Sequence, residues 1–237
     1  MSSTKVKKIP LYKEEPIPFD WDKEITDRSS FYKKFLWLAK LLTNHEFETL
    51  TFIGEENVPQ DGPFLMISNH VNGFDPITLM RGLSGRRSMY FMAKEDFYHA
   101  FYICYPLTWF GGFPVKRGVV DRNSMNFAKR VLQHGHSGLM VFPQGTRDRE
   151  RTRPELESTK NGFAMLARDC KVPVVPCSIH LEKDLSKSHP KCIVRYGKPI
   201  PYEELGFTEG SKKKKELNAA AELMWKKVQE LWDMDEM

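Results

Sequence analysis

Two short stretches of this chain hold side chains suited to proton transfer and anion binding. The first is Asn69-His70-Val71-Asn72-Gly73-Phe74-Asp75-Pro76, where an imidazole and a carboxylate stand five positions apart after an apolar run. That spacing does not put two side chains on one helical face, because facing pairs are three or four apart. A turn through Gly73 would instead bring Asp75 back onto the ring. A carboxylate held on one ring nitrogen fixes the tautomer and stabilises the imidazolium, which frees the other nitrogen as a general base. Asp75-Pro76 also has the form of a helix start, with Asp as N-cap and Pro in the first turn, and the two roles are compatible. The second stretch, Phe142-Pro143-Gln144-Gly145-Thr146-Arg147, delivers an arginine in a Gly-containing turn after another apolar run. Lys116 and Arg117 follow a third run, Gly111 to Val115. Arginines arriving from separate strand ends can clamp a phosphate monoester through paired hydrogen bonds, with lysine as a point charge. A base with its orienting acid, beside fixed cations, is equipment for activating a hydroxyl on a phosphate-bearing molecule. No G-x-S-x-G elbow occurs, which argues against a serine nucleophile.

Such residues need a scaffold that brings distant segments together. From about residue 49 short apolar runs alternate with helical patterns. Strands are expected at 49–53, 63–68, 89–93, 112–115, 139–142, 173–181 and 192–196, and helices at 75–83, 96–110, 123–133 and 159–170. The alternation predicts an α/β domain with a mixed, largely parallel sheet flanked by helices. In open α/β sheets ligands sit beyond the carboxyl ends of the strands, and both motifs directly follow apolar runs. A long helix from residue 212 carries Leu217, Ala221, Met224, Val228 and Leu231 at alternating spacings of four and three. That is the pattern of a helix docked on a core. Lys212 to Lys215 at its start oppose the helix dipole.

Composition narrows the partners. Among 237 residues, 36 Lys and Arg against 31 Asp and Glu give a net charge of +5. This balance favours anionic partners, but no RNA- or DNA-binding motif is present, so no nucleic-acid partner is expected. The four cysteines form no C-x-x-C pair and no metal-ligand spacing with histidine, so reduced, mostly buried thiols and no metal or redox cofactor are expected. The opening MSSTKVKKIP lacks the apolar core of an export signal. No uninterrupted apolar stretch reaches the roughly 20 residues a membrane span needs. Residues 1–28 read as an extended arm rich in Lys, Glu and Pro; the expected division is 1–48 as arm and helix, ahead of a domain over 49–237.

Four motifs occur in a fixed order: Asn-His-x-x-x-x-Asp, Gly-x-x-Pro-Val-x-Arg, Phe-Pro-x-Gly-Thr-Arg, and a later Val-Pro-Val-Val-Pro ending at Pro176. Over roughly residues 50–200 the chain resembles the glycerolipid acyltransferase family, specifically its PlsC-like 1-acylglycerol-3-phosphate acyltransferases. The resemblance implies that His70 is the general base and Asp75 its orienting partner, with Asn69, Gly73 and Pro176 as supporting motif positions. It makes Arg117, with Lys116 nearby, the group that holds the acceptor's phosphate, and Gln144, Gly145, Thr146 and Arg147 the rest of the acceptor site. Lys160, in Lys160-Asn161-Gly162, resembles the Lys-x-Gly that often trails the third motif. The family usually carries Glu where this chain has Gln144, which bears on the acceptor's identity: glycerol-3-phosphate, a lysophospholipid or a lyso-aminolipid are alternatives. The implied reaction is direct transfer from acyl-coenzyme A or acyl carrier protein, giving phosphatidic acid, with no cofactor beyond the acyl donor.

An acceptor with one long chain resides in a bilayer, so a membrane contact is expected on the cytoplasmic face, peripheral rather than spanning. A predicted amphipathic helix over 31–42 sets Phe31, Phe35, Leu38 and Leu42 on one face, with Lys33 and Lys40 opposite and Trp37 nearby. It suits either an interfacial helix on anionic lipid or one docked on its own domain. The segment Phe97 to Val115 holds no Asp, Glu, Lys or Arg and many aromatics. Pro106 and Gly111-Gly112 interrupt it, so it suits a buried helix, an acyl-chain wall or a membrane-facing surface rather than a span.

Overall fold

The seven apolar runs form seven strands in one sheet. In the computed structural model, which describes residues 13–119, 121–157 and 161–234, these are β1 (Leu50–Ile53), β2 (Phe64–Ser68), β3 (Ser88–Lys94), β4 (Gly112–Val115), β5 (Ser137–Val141), β6 (Val174–Leu181) and β7 (Cys192–Tyr196). The helices are α1 (Ser29–Glu46), α2 (Asp75–Gly82), α3 (Phe101–Trp109), α4 (Arg122–Gln133), α5 (Gly162–Cys170) and α6 (Lys214–Trp232). The strand order is β1-β7-β6-β2-β5-β3-β4. All neighbours are parallel except β6 and β7, so the sheet is mixed and mostly parallel, as the alternation predicts.

Both faces of the sheet are covered, which is why its strands read as continuous apolar runs. Every residue of β2 and β6 is buried. Alternate side chains serve opposite cores: Leu65, Ile67 and Leu139 pack with α4, α5 and α6, while Phe64, Met66 and Met140 pack with α1, α2 and α3. Met224 and Val228 of α6 are buried in the first core, so the C-terminal helix docks as its periodicity predicts.

Two expectations change. The helix expected over 96–110 breaks at Ala100, whose backbone is extended (φ −121°, ψ 116°), into a 3-10 turn at Glu95–His99 followed by α3. The carbonyls of Tyr98 and His99 are taken by the N–H groups of Ile17 and Lys13, at 2.7 and 2.8 Å, and so do not continue a helix. The described part of the arm that donates these bonds, residues 13–28, is extended but packed, with Ile25 buried at 4% exposure. Its Arg28 donates to the carbonyls of Thr108 and Trp109 at the end of α3, a favourable place for a cation. The helix expected over 159–170 begins at Gly162, and residues 158–160 lie outside the described part.

Candidate active site

Parallel strands β2, β5, β3 and β4 all point their carboxyl ends to one side of the sheet. Register pairs Ile67 with Val141, Phe91 with Met140 and Lys94 with Val115. The residues just beyond these ends, from the first, second and third motifs, therefore meet across neighbouring strands although up to seventy-odd positions separate them.

The first motif folds as a tight loop around a buried carboxylate. Asp75 is fully buried, and its Oδ2 lies 2.6 Å from His70 Nδ1. The same oxygen accepts the N–H groups of Val71 at 2.7 Å and Asn72 at 2.9 Å. Among the described residues no donor reaches the buried Oδ1. Asp75 is thus not a helix cap: α2 has Pro in its first turn as expected, but the carboxylate turns back to the loop preceding it. This leaves His70 Nε2 as the nitrogen available to a substrate, and the His70 side chain is 13% exposed.

The third motif is stitched to the same histidine. Gln144 Oε1 accepts the His70 N–H at 3.0 Å, and the Asp148 N–H donates to the His70 carbonyl at 2.8 Å. The Phe142 ring stacks on the imidazole with centroids 4.5 Å apart. Gly145 takes the left-handed turn that the loop requires, with φ 70°. Asn69 is buried and bridges to Ile179 in β6 in both directions at 2.8 Å, which fixes the end of β2.

A cleft of about 550 Å³ opens beside His70. It is lined by His70, Gly73, Lys94, Arg117, Gly145 and Arg147, and by apolar side chains that include Leu38 and Leu42 of α1, Met92 of β3, and Ile103 and Leu107 of α3. A Cβ on Gly73 would lie 3.2 Å from the Arg147 guanidinium, so the glycine lets that arginine approach the loop. Partial desolvation, with the neighbouring Arg147 charge next, holds the Arg117 pKa below the ordinary arginine value. Arg117 and Arg147 thus bring two like charges to the lining of the same cleft.

Not every residue singled out in the sequence reaches this cleft. Lys116 is exposed, its ammonium 3.6 Å from Glu95 and its N–H held by Asp121 at 2.9 Å. Thr146 is exposed and does not line the cleft. Pro176 is buried within β6 opposite Ile67, where its carbonyl accepts from Gly197. Lys160 lies outside the described residues. Lys94, paired with Asp96, and Phe142 line the cleft without having been singled out for a role. The strand end before Lys94 was legible as a signal for the first.

Around the cleft, Phe31 packs on Phe35 and Phe110, and Leu38 and Leu42 face inward, so this face of α1 is turned to its own domain. Trp37 and Leu41 of α1 are instead exposed, at 61% and 60%, together with Tyr105 and Trp109 of α3. Among the described residues no helix is long and apolar enough to cross a membrane.

The seven-stranded mixed sheet flanked by helices agrees with what comparison finds. Residues 49–180 match the model of the Acyltransferase family, and the chain belongs to that family. Among solved structures it is similar to the crystal structure of the 1-acyl-sn-glycerophosphate (LPA) acyltransferase PlsC from Thermotoga maritima. The TM-score is 0.60 and the identity 25%, with 87% of this chain and 83% of that chain covered. No curated protein sequence matches significantly.

Proposed function

We propose that this acyltransferase moves an acyl group from a thioester, acyl-coenzyme A or acyl carrier protein, to the sn-2 hydroxyl of 1-acylglycerol-3-phosphate, giving phosphatidic acid. One observation carries the reading: a single cleft joins His70, Arg117 and Arg147 to a long apolar wall. His70 Nε2 takes the hydroxyl proton as the acceptor oxygen attacks the thioester carbon. The C–S bond then breaks, and the imidazolium returns the proton to the departing thiolate. Asp75 stabilises the imidazolium in between, and general-base help of this kind is worth roughly 10²–10⁴ in rate. Arg117 and Arg147 hold the acceptor's phosphate, and the apolar wall takes an acyl chain.

The tetrahedral oxyanion needs a donor. The N–H groups of His70, Val71, Asn72, Phe74 and Asp75 are already engaged within the protein. Within this loop only the Gly73 N–H is left for that role.

The acceptor resides in a bilayer, and the exposed Trp37, Leu41, Tyr105 and Trp109 beside the cleft suit peripheral docking on an anionic cytoplasmic leaflet. The test is thiol release from palmitoyl-coenzyme A and from an acyl carrier protein thioester, with 1-acylglycerol-3-phosphate in detergent. Release by the wild type that disappears in His70→Ala is the expected result. No release from either donor would overturn the reading.

A further inference from the structure

Glu46 is the last residue of α1, where a carboxylate opposes the negative end of the helix dipole. A side chain kept at an unfavourable place calls for another role, and its partner supplies one. Glu46 Oε1 accepts a hydrogen bond from Asn72 Nδ2 at 2.7 Å. Asn72 sits inside the His70–Asp75 loop and is used at three points. Its Oδ1 accepts the Phe74 N–H at 2.8 Å, its own N–H donates to Asp75 Oδ2 at 2.9 Å, and its amide nitrogen reaches Glu46. The partners fix the amide's orientation: a backbone N–H requires the oxygen, so the NH₂ group faces the carboxylate.

A second tie joins the same two elements. Arg81 of α2 donates to Thr43 Oγ1 and, at 2.8 Å, to Asn44 Oδ1 in the last turn of α1. The end of α1 is therefore clamped both to the loop and to the helix that starts at Asp75. Of these contacts only the Glu46–Asn72 bond bears directly on the turn that presents two N–H groups to Asp75 Oδ2.

We infer that Glu46 is a positioning residue for the His70–Asp75 pair, acting through the Asn72 side chain; the inference rests on the acyl-transfer reading above. Without Glu46, Asn72 is free to leave its turn, the N–H donors swing off Asp75, and the carboxylate no longer fixes the imidazole. Misplacement of about 1 Å can cost about 100-fold in rate.

The experiment compares Glu46→Ala, Glu46→Gln, Asn72→Ala and the double variant Glu46→Ala/Asn72→Ala in the full chain. Glu46 is partly exposed, and melting temperatures check that each variant folds. Expected are a loss of about 10- to 100-fold in kcat for Glu46→Ala with KM nearly unchanged, and recovery of most of it in Glu46→Gln, which keeps the acceptor oxygen. The double variant should lose no more than the worse single variant, because the two residues act in series. A readout independent of turnover is the downfield proton NMR signal of His70 Nδ1–H, assigned by its absence in His70→Ala. It should weaken in Glu46→Ala and Asn72→Ala and persist in Glu46→Gln. Equal losses in Glu46→Ala and Glu46→Gln, losses that multiply in the double variant, or an unaltered Nδ1 signal in Glu46→Ala each overturn the inference. If the wild type transfers no acyl group, the functional reading fails, and the Nδ1 signal alone decides this one.

Discussion

Phe142 lies almost flat on His70, with ring centroids 4.5 Å apart and planes inclined by 28°. Asp75 fixes one edge of the imidazole and Phe142 covers one face, so the ring has little freedom to tilt away from a substrate in the cleft. An aromatic contact of this kind is worth about 0.5–1.5 kcal/mol beyond area burial. If most of that is expressed in the transition state, Phe142→Ala lowers kcat by up to about tenfold. Phe142→Tyr, which keeps the ring, should stay close to wild type. Steady-state kinetics at saturating donor checks both, and equal rates in all three proteins would remove Phe142 from the mechanism.

Arg117 and Arg147 should act on the acceptor rather than on the chemistry. A hydrogen bond to a charged group is worth about 1.5–3 kcal/mol, so Arg117→Ala or Arg147→Ala should raise KM for 1-acylglycerol-3-phosphate by roughly 10- to 100-fold. A monoacylglycerol, which lacks the phosphate, should be used equally poorly by wild type and variants. Arg147→Lys keeps the charge and loses the planar fork, so it should recover only part of the affinity. Identical KM values for both acceptors would show that the cations do not read phosphate.

The four cysteines are reduced thiols, and three of them are buried. Burial pushes the partly exposed Cys170 up to about 11 and Cys177 well above its ordinary value. The thiolate is the reactive form, so at pH 8 the thiol of Cys170 is overwhelmingly protonated and alkylation is slow. The sign is definite: the rate should climb about tenfold per pH unit from pH 8 and level off near 11. Iodoacetamide at pH 8 should therefore leave acyl transfer intact, as expected for a reaction without a cysteine acyl-enzyme. Rapid loss of activity at that pH would contradict it.

What the sequence could disclose was set by how local its cause is. β4 and β7 match their expected runs residue for residue, because each is a short, largely apolar run with clear ends; β4 is mostly buried, and β7 alternates buried and half-buried positions. The break before α3 was illegible, because it arises from carbonyls captured by an arm some eighty positions away. Lys116 and Arg117 show a different limit. Both lie just past β4, with Arg117 already in a turn, and only Arg117 lines the cleft, a choice set by the turn, which composition could not tell. The Glu46–Asn72 bond joins residues 26 apart with no motif between them. By contrast, the His70–Asp75 pair was legible because a turn through the five-residue spacing can bring the carboxylate back onto the ring.

Membrane docking can be separated from the catalytic site by point substitution. Removing α1 altogether would strip Leu38 and Leu42 from the cleft and Glu46 from the loop, and so confuse the two. Trp37 and Trp109 are 61% and 59% exposed, and Trp37→Glu/Trp109→Glu should leave the melting temperature nearly unchanged. Co-sedimentation with vesicles containing phosphatidylglycerol should fall sharply. Binding by the wild type should also weaken as salt rises, because the exposed Lys33, Lys34 and Lys40 act through a screened potential. Undiminished binding by the double variant would locate the membrane contact elsewhere.

Gln144 gives the most direct test of the departure from the family's usual glutamate. Its Oε1 accepts the His70 N–H at 3.0 Å and its Nε2 donates to the Glu155 carbonyl at 3.4 Å. The first bond needs only an acceptor oxygen, which glutamate also has. The second needs a donor, which glutamate lacks, and at 3.4 Å it is the weaker of the two. Gln144→Glu should therefore remain within a few-fold of wild type. Gln144→Leu, which has neither atom, leaves a backbone N–H unpaired at the base itself, a change worth about 1–3 kcal/mol. Expressed in catalysis, that is about 5- to 150-fold in kcat/KM. The comparison across acceptors then assigns the role: if Gln144→Glu changes which lysolipid is preferred while Gln144→Leu lowers all of them together, the carboxamide holds the two motifs in register and its missing charge tunes the acceptor. A Gln144→Leu protein as active as wild type would mean that the Asp148–His70 bond and the Phe142 stack suffice to hold the motifs together.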